Sequence, residues 1–130
     1  MRYLLDTHAY IWYVEDNKKL SKTALNIIDS SESKLYFSLA SIWEITIKAS
    51  LKKLNLKQSI SNIFEELEKL DIALLNFTKN DFEILYRLDF FHRDPFDRML
   101  ISQAIAENLT LISKDSAFDK YQIKRVLSKR

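Results

Sequence analysis

Short apolar runs alternate with amphipathic segments along this whole chain, and no hairpin signal joins one apolar run to the next. Runs of this length, rich in Leu, Ile, Tyr and Phe, are typical of buried β-strands. The segments between them carry apolar residues three or four positions apart, which is the spacing of one helix face. This alternation predicts an α/β fold with a mostly parallel central sheet of about five short strands and helices on both faces.

The predicted elements cover the chain without a linker or an internal repeat. The strands are predicted at residues 3–5, 35–37, 71–75, 109–112 and 123–127. The helices are predicted at residues 8–14, from about 20, from 38 or 41 to 51, at 59–69, 78–86 and 95–107, with a short helix after Asp115. Leu25, Trp43, Leu51 and Phe82 are among the apolar residues predicted to face inward. Residues 1–130 are expected to form one domain.

The chain contains no glycine. Glycine adopts positive φ most easily, as many tight turns and helix ends require. Asparagine also tolerates this left-handed region, so Asn17, Asn55 and Asn108 are predicted to serve such positions.

Composition narrows the class of protein. Hydrophobic residues make up 47% of the 130 residues, enough for a buried core, yet the longest apolar runs, such as residues 10–14, are too short to span a bilayer. There is no cysteine, which excludes disulfides and thiolate metal sites. The N-terminus lacks a basic segment followed by an apolar stretch, so the protein is expected to be soluble and cytoplasmic, without membrane association.

The charges are unevenly distributed. All 18 acids precede Lys120, whereas five of the 20 basic residues lie from Lys120 onward. This basic tail would either contact phosphates or an acidic partner, or protect an edge strand from pairing with other chains.

The segment from His92 to Arg98 begins the helix predicted at residues 95–107. Asp94 is predicted to be its N-cap, and Pro95 fits the first helical position, where a missing N–H costs nothing. Asp97 follows three residues after the cap, where it would only complement the helix dipole. Asp97 is thus either part of the helix start or a functional carboxylate.

Two further acids could converge with Asp97 in the predicted fold, and a fourth acid lies within a helix. Asp6 and Asp115 each follow a strand, and the carboxyl ends of parallel strands share one edge of the sheet with the starts of the following helices. Both could instead be helix caps. Glu44 lies within a helix, where it could form an exposed pair with Lys48.

The chemistry of these acids predicts the ion that they would hold. Carboxylates that converge without partners repel one another, which raises their pKa values, and a divalent cation relieves this repulsion. Ligands that are all oxygen suit Mg²⁺ or Mn²⁺. His8 and His92 are isolated from each other, and zinc is therefore a poor fit.

Four segments, in this order and spacing, resemble the PIN-domain ribonucleases, specifically the VapC-type toxins of bacterial toxin–antitoxin pairs. They are residues 4–8, 41–45, 92–98 and 111–115, and the resemblance extends from about residue 2 to 126. It implies a metal-dependent endoribonuclease with an RNA substrate, a small cognate antitoxin and a homodimeric state. The catalytic, metal-binding acids that it implies are Asp6, Glu44, Asp97 and Asp115.

Residues around these acids are assigned supporting roles. Thr7 and Ser113 would orient carboxylates by hydrogen bonding, and Asp94 matches a position that is specific to a subgroup of the family. The candidate contacts to RNA phosphates are Lys48, Arg93, Arg98 and Lys114. The antitoxin is expected to cover apolar surface near Trp12, Trp43 and residues 51–56.

Two positions depart from the family pattern, because relatives often have glycine at Lys52 and Asn108. Asn108 can adopt positive φ, but a lysine is less suited to it. The turn that includes Lys52 is therefore predicted to be shaped differently.

Two other functions are open at this point. A non-catalytic regulatory module of the receiver type also places acids at strand ends, but it would require a pair of acids just before the first strand position, and residues 1–3 contain no acid. A nuclease fold that has lost its activity and serves as a scaffold would not need to keep all four acids.

Overall fold

The computed structural model describes residues 1–127, and Lys129 and Arg130 of the basic tail lie outside the described residues. The strands are β1 (Arg2–Leu5), β2 (Lys34–Ser38), β3 (Ile72–Leu75), β4 (Thr110–Ser113) and β5 (Arg125–Leu127). Every pairing is parallel, and the strand order is β3-β2-β1-β4-β5. The predicted parallel α/β fold is confirmed, and each predicted strand overlaps an observed one.

The strand order also bears on the receiver-type alternative. Receiver modules have the doubly wound order 2-1-3-4-5, in which the third strand lies beside the first. Here β1 lies between β2 and β4. The receiver reading is therefore excluded by the topology.

Helices connect the strands and cover both faces of the sheet. They are α1 (Thr7–Val14), α2 (Lys22–Asp29), α3 (Leu39–Ser50), α4 (Ile60–Lys69), α5 (Lys79–Arg87) and α6 (Pro95–Glu107), and a short 3₁₀ helix, Ser116–Lys120, follows β4. Each α-helix begins after a polar residue whose side chain accepts a backbone N–H, as an N-cap does. These caps are Asp6, Ser21, Ser38, Ser59, Thr78 and Asp94.

The core has two parts because successive residues of a strand point to opposite faces of the sheet. Leu5 and Ile112 pack into the part that α1 to α4 cover. Leu4 and Leu111 pack into the other part, against α6 and the 3₁₀ helix. All four side chains are fully buried. Burial of each contributes about 1.5–3 kcal/mol, which fixes the strands between the helical layers.

Four side chains that were predicted to face inward are exposed instead. Leu25 is 37% exposed, Phe82 is 52%, Trp43 is 56% and Leu51 is 59%. On α3 the inner face includes Glu44 and Ile45, both buried. The apolar pattern predicted that Trp43 would be buried. In the structure Trp43 is exposed, and Glu44 is buried because it finds hydrogen-bond partners in the interior.

Left-handed residues end four of the helices. Asp16, Lys52, Asp71 and Asn108 have φ between 53° and 58°. The prediction for Asn108 is confirmed, whereas Asn17 and Asn55 are not among these residues. After α3, the N–H of Lys52 bonds to the carbonyl of Ala49 at 3.1 Å, which is a normal left-handed helix closure. The prediction that this turn differs at Lys52 is therefore wrong.

β5 lies at an edge of the sheet and carries a charged side chain. This agrees with the hypothesis that the basic tail protects an edge strand from pairing with other chains. Arg125 forms two hydrogen bonds of 2.8 Å to Asp119 and one of 2.9 Å to the carbonyl of Ser113. None of the helices within residues 1–127 combines the length and apolar content needed to cross a membrane.

Candidate functional site

Four acids from different elements line one open cleft of about 430 Å³ at the carboxyl edge of the sheet. Asp6 follows β1, Glu44 lies in α3, Asp97 lies in the first turn of α6, and Asp115 follows β4. The four residues that sequence analysis selected are thus brought together by the fold.

Glu44 is buried, with only 5% of its surface exposed. The hydroxyl of Thr7 donates a 2.7 Å hydrogen bond to Oε1, and the ammonium of Lys48 donates to Oε2. The ion pair with Lys48 exists, but it is not the exposed surface pair considered from the sequence. Both carboxylate oxygens have partners that offset the loss of hydration.

Asp6 is both a helix cap and a cleft residue. Its Oδ1 accepts the N–H of Ala9 at 2.8 Å at the start of α1. Burial raises the pKa of this carboxyl to about 6, although hydrogen bonds from Ser113 and Ala9 act in the opposite direction. Asp6 can therefore cap α1 and contribute a carboxylate to the cleft at the same time.

Asp97 has the most perturbed carboxyl in the cleft. Burial raises its pKa to about 8, with further increases from the negative charges of Asp94, Glu44, Asp6 and Asp115. Asp94 is the actual N-cap of α6, because its Oδ1 accepts the N–H groups of Phe96 at 2.9 Å and Asp97 at 3.0 Å. Asp94 is thus the cap of α6, and the carboxyl of Asp97 is one of the closely spaced acids of the cleft.

His92 joins the acids, although sequence analysis left both histidines out of the site. Its Nε2 lies 3.1 Å from Oδ2 of Asp97 and 3.2 Å from Oδ2 of Asp115. In the sequence, the one feature that could have pointed to His92 is its position in the same short segment as Asp94 and Asp97. These three residues, His92, Asp97 and Asp115, also present ligand atoms within 4.8 Å of one another.

Arg98 is not placed to contact RNA. Only 6% of its surface is exposed, and its guanidinium lies 3.8 Å from the centre of the Phe90 ring. It donates hydrogen bonds to the backbone carbonyls of Leu88, Asp89 and His92 at 2.9–3.2 Å. The prediction of a phosphate contact is wrong for this residue, because its donors hold the loop before α6.

The other candidate RNA contacts are accessible. Lys48 and Lys114 line the cleft, and Lys114 lies 5.2 Å from the ring centre of Trp12. Arg93 is exposed on the loop before α6. Trp12 itself is only 6% exposed, so it offers little surface to a partner.

The donor set fits a hard divalent cation. The cleft is lined by five carboxylates, and burial, together with the negative charges of the other four, raises the pKa of Asp97 to about 8. A divalent cation would reverse this shift by stabilising the ionised carboxylates. The oxygen ligands for such an ion would come from Asp6, Glu44, Asp97 and Asp115.

The sheet order and the acidic cleft define an α/β protein with a carboxylate site at the carboxyl edge of its strands. A family model described as PIN domain matches residues 3–124, and the chain therefore belongs to the PIN-domain family. PIN domains generally bind divalent metals, and nuclease activity is typical of the family. Comparison with curated protein sequences gives no match.

Solved structures with this fold include several protein complexes. VapBC2 from Rickettsia felis, bound to a DNA fragment from its promoter, is 15% identical with a TM-score of 0.75, covering 99% of this chain and 100% of that one. VapBC-1 from nontypeable Haemophilus influenzae is 18% identical with a TM-score of 0.70, covering 98% of both chains. A toxin–antitoxin complex from Klebsiella pneumoniae is 17% identical with a TM-score of 0.65, covering 95% of both chains. At these identities the likeness establishes the fold.

Proposed function

We propose that this chain is a divalent-metal-dependent endoribonuclease of the VapC type and the toxin of a type II toxin–antitoxin pair. The observation that carries the proposal is the cleft in which carboxylates from four elements meet. Membership of the PIN-domain family supports nuclease activity. The presence of all four acids, three of them with hydrogen-bond donors that fix their orientation, argues against a scaffold that has lost its activity.

Asp6, Glu44, Asp97 and Asp115 would hold Mg²⁺ or Mn²⁺. When bound, such an ion supplies a water of lowered pKa and neutralises charge on an RNA phosphodiester during hydrolysis. The chain's own residues prepare the ligands for this role. Thr7 orients Glu44, the Ser113 side chain bonds to Asp6, and Lys48 balances the charge of Glu44.

The substrate would approach along the basic rim of the cleft. Lys48 and Lys114 line it, and Arg93 lies on the adjoining loop. Each of these cations would contact a phosphate, which gives affinity without base specificity.

The proposed partners are a small antitoxin and a second copy of the chain. Structures of similar fold come from VapBC and toxin–antitoxin complexes, which supports an antitoxin partner here. Exposed apolar side chains are available to both partners: Trp43 and Leu51 lie on or just after α3, and Phe82, Tyr86 and Phe90 lie on or just after α5. We place residues 1–130 in one domain that acts in the cytoplasm, where its RNA substrate is found.

The experiment that tests the proposed function is cleavage of RNA by purified protein in Mg²⁺, in Mn²⁺ and in excess chelator. Wild-type protein should cleave only with metal, and Asp97→Asn should lose cleavage while remaining folded. The matched control is Glu68→Gln, which neutralises an exposed acid on α4. Cleavage by wild type and Asp97→Asn alike in chelator would reject the proposal.

A further inference from the structure

The imidazole of His92 lies against two of the four acids, and its role can be deduced from its own hydrogen bonds. This inference rests on the proposed function and adds a residue to that site. We propose that His92 is a positioning residue whose Nε2–H holds the carboxylates of Asp97 and Asp115 at a fixed spacing, and that it is not a ligand of the metal.

The first step is to assign the tautomer of the His92 ring. The backbone N–H of Asp94 points at Nδ1 across 3.3 Å, and a backbone N–H can only donate. Nδ1 must therefore accept, which places the proton of the neutral ring on Nε2. A metal ligand would need its lone pair on Nε2 and its proton on Nδ1, where that proton would face the N–H of Asp94. The backbone of Asp94 thus selects the donor form of His92.

The second step is to identify the acceptors that lie next to Nε2. Nε2 donates to Oδ2 of Asp115 at 3.2 Å, and Oδ2 of Asp97 lies 3.1 Å from the same nitrogen, so this N–H lies between two carboxylates. Oδ1 of Asp115 already accepts the N–H of Ala117 at 2.9 Å. Both oxygens of Asp115 thus have a donor, and Oδ2 of Asp97 lies against the same N–H, while the second lone pair of each oxygen remains for the ion. Such hydrogen bonds to ligating carboxylates restrict their motion before the metal binds.

The loop that carries His92 is anchored from two elements. Its backbone N–H donates to the hydroxyl of Tyr121 at 2.9 Å, and its carbonyl accepts from the guanidinium of Arg98 at 3.2 Å. Tyr121 and Arg98 both also bond to the carbonyl of Asp89. The ring itself packs at a tilt against Phe118, with 5.6 Å between centroids. His92 is therefore held in place by partly buried contacts to its backbone and its ring, as a positioning residue must be.

The test compares two substitutions of His92 by the affinity of the protein for Mn²⁺, measured by titration calorimetry. His92→Gln keeps an N–H donor near the position of Nε2, whereas His92→Ala removes it. We expect His92→Ala to bind Mn²⁺ about 10–100-fold more weakly and His92→Gln to stay near the wild-type affinity. Melting curves in chelator establish that both variants are folded.

A spectroscopic measurement on wild-type protein tests the tautomer without any substitution. Electron spin echo modulation of bound Mn²⁺ detects nitrogen that is coordinated directly, and we expect no such signal. A coordinated nitrogen that disappears in both variants would make His92 a ligand and overturn the inference. Equal Mn²⁺ affinity in wild type and His92→Ala would overturn it as well. Wild-type protein that binds no Mn²⁺ would overturn the proposed metal site together with this inference.

Discussion

The hydroxyl of Thr7 donates a 2.7 Å hydrogen bond to Oε1 of Glu44, which joins the start of α1 to the middle of α3. Both residues are only 5% exposed, so little of their surface is accessible to a water that could replace this donor. Thr7 thereby fixes the orientation of a proposed metal ligand that lies 37 residues away in sequence.

Thr7→Val should remove that donor while keeping the shape of the side chain. Leaving a buried carboxylate oxygen without a donor costs about 1–3 kcal/mol of folding free energy, and we expect cleavage to fall about 10–100-fold. Thermal melts and RNA cleavage rates measure the two effects. Thr46→Val is the matched control, since its hydroxyl bonds only to the carbonyl of Ile42 on the same helix. Unchanged cleavage in Thr7→Val would contradict the orienting role.

Asp97 should make the stability of the metal-free protein fall as pH rises. Its pKa increases from 3.8 in the unfolded chain to about 8 in the fold, so the folded protein binds this proton more tightly. The resulting stabilisation is complete below about pH 4 and is lost as pH rises towards 8. Melts between pH 5 and 9 in chelator should show this decline in wild type, and Asp97→Asn should melt higher than wild type at pH 8.

The lower part of the same pH profile should survive in Asp97→Asn. Asp6 keeps its raised pKa of about 6, so a decline between about pH 4 and 6 should remain. Glu68→Gln should follow wild type at every pH. Added Mn²⁺ binds the ionised acids, and its stabilising effect on wild type should therefore grow with pH. A pH profile that is identical in wild type and Asp97→Asn would show that Asp97 is not perturbed by the cleft.

The two arginines of the segment before and within α6 should behave differently. Arg98 is buried against backbone carbonyls, whereas Arg93 is exposed. Arg98→Lys cannot reproduce three hydrogen bonds to the loop, so it should lower the unfolding free energy by about 1–3 kcal/mol. Arg93→Lys should leave the melting temperature unchanged, and Arg93→Ala should raise the KM for RNA. Arg98→Lys with wild-type stability would show that the loop does not depend on this side chain.

Binding of the proposed antitoxin should depend on the apolar side chains of Trp43, on α3, and Leu51, just after it. Trp43 is 56% exposed and Leu51 is 59% exposed, and neither is needed for the core. Co-expression with the neighbouring open reading frame should yield a stable complex, and Leu51→Lys should weaken it. Phe64→Lys on α4 is the control for a charge placed on another exposed apolar side chain, away from the surfaces proposed for the partners. Failure to recover any small partner from the native operon would count against the toxin–antitoxin proposal.

Lys52→Gly should stabilise the protein. Lys52 has a φ of 58°, where a side chain clashes with the backbone, and glycine removes that clash. The greater freedom of glycine in the unfolded chain offsets part of the gain, so we expect about 0.5–1 kcal/mol in denaturant unfolding. Lys53→Gly, at the next position without positive φ, should destabilise instead. Equal effects of the two substitutions would mean that Lys52 is unstrained.

The strands and the helix starts were predicted correctly from local sequence, whereas two of the three left-handed positions were not. The strands follow from short apolar runs, and the start of α6 follows from Asp94 and Pro95, because capping involves residues only two or three positions apart. The convergence of Asp6 and Asp115 follows from the geometry of parallel strands.

Features that depend on irregular backbone could not be predicted. The roles of His92 and Arg98 depend on the conformation of the loop over residues 88–92, which has no periodic pattern. Trp43 and Glu44 lie on the regular helix α3, and their burial was predicted the wrong way round for a different reason. Hydrophobicity alone favours burial of the Trp, and it does not register that Thr7 and Lys48 satisfy both oxygens of Glu44.

Four helices end at residues with positive φ, and replacing such a residue with glycine could raise the stability of the fold and so offset a destabilising mutation elsewhere. Asp16, Lys52, Asp71 and Asn108 are far apart in sequence, and each could be replaced by glycine with little effect on the others. A new residue in the acidic cleft that costs about 0.5–1 kcal/mol could be compensated by glycine at Lys52, whereas the gain is smaller at the Asp and Asn positions, because Asp and Asn tolerate positive φ. The chain without glycine therefore has more room to change its acidic cleft than the crowding of that cleft alone would allow.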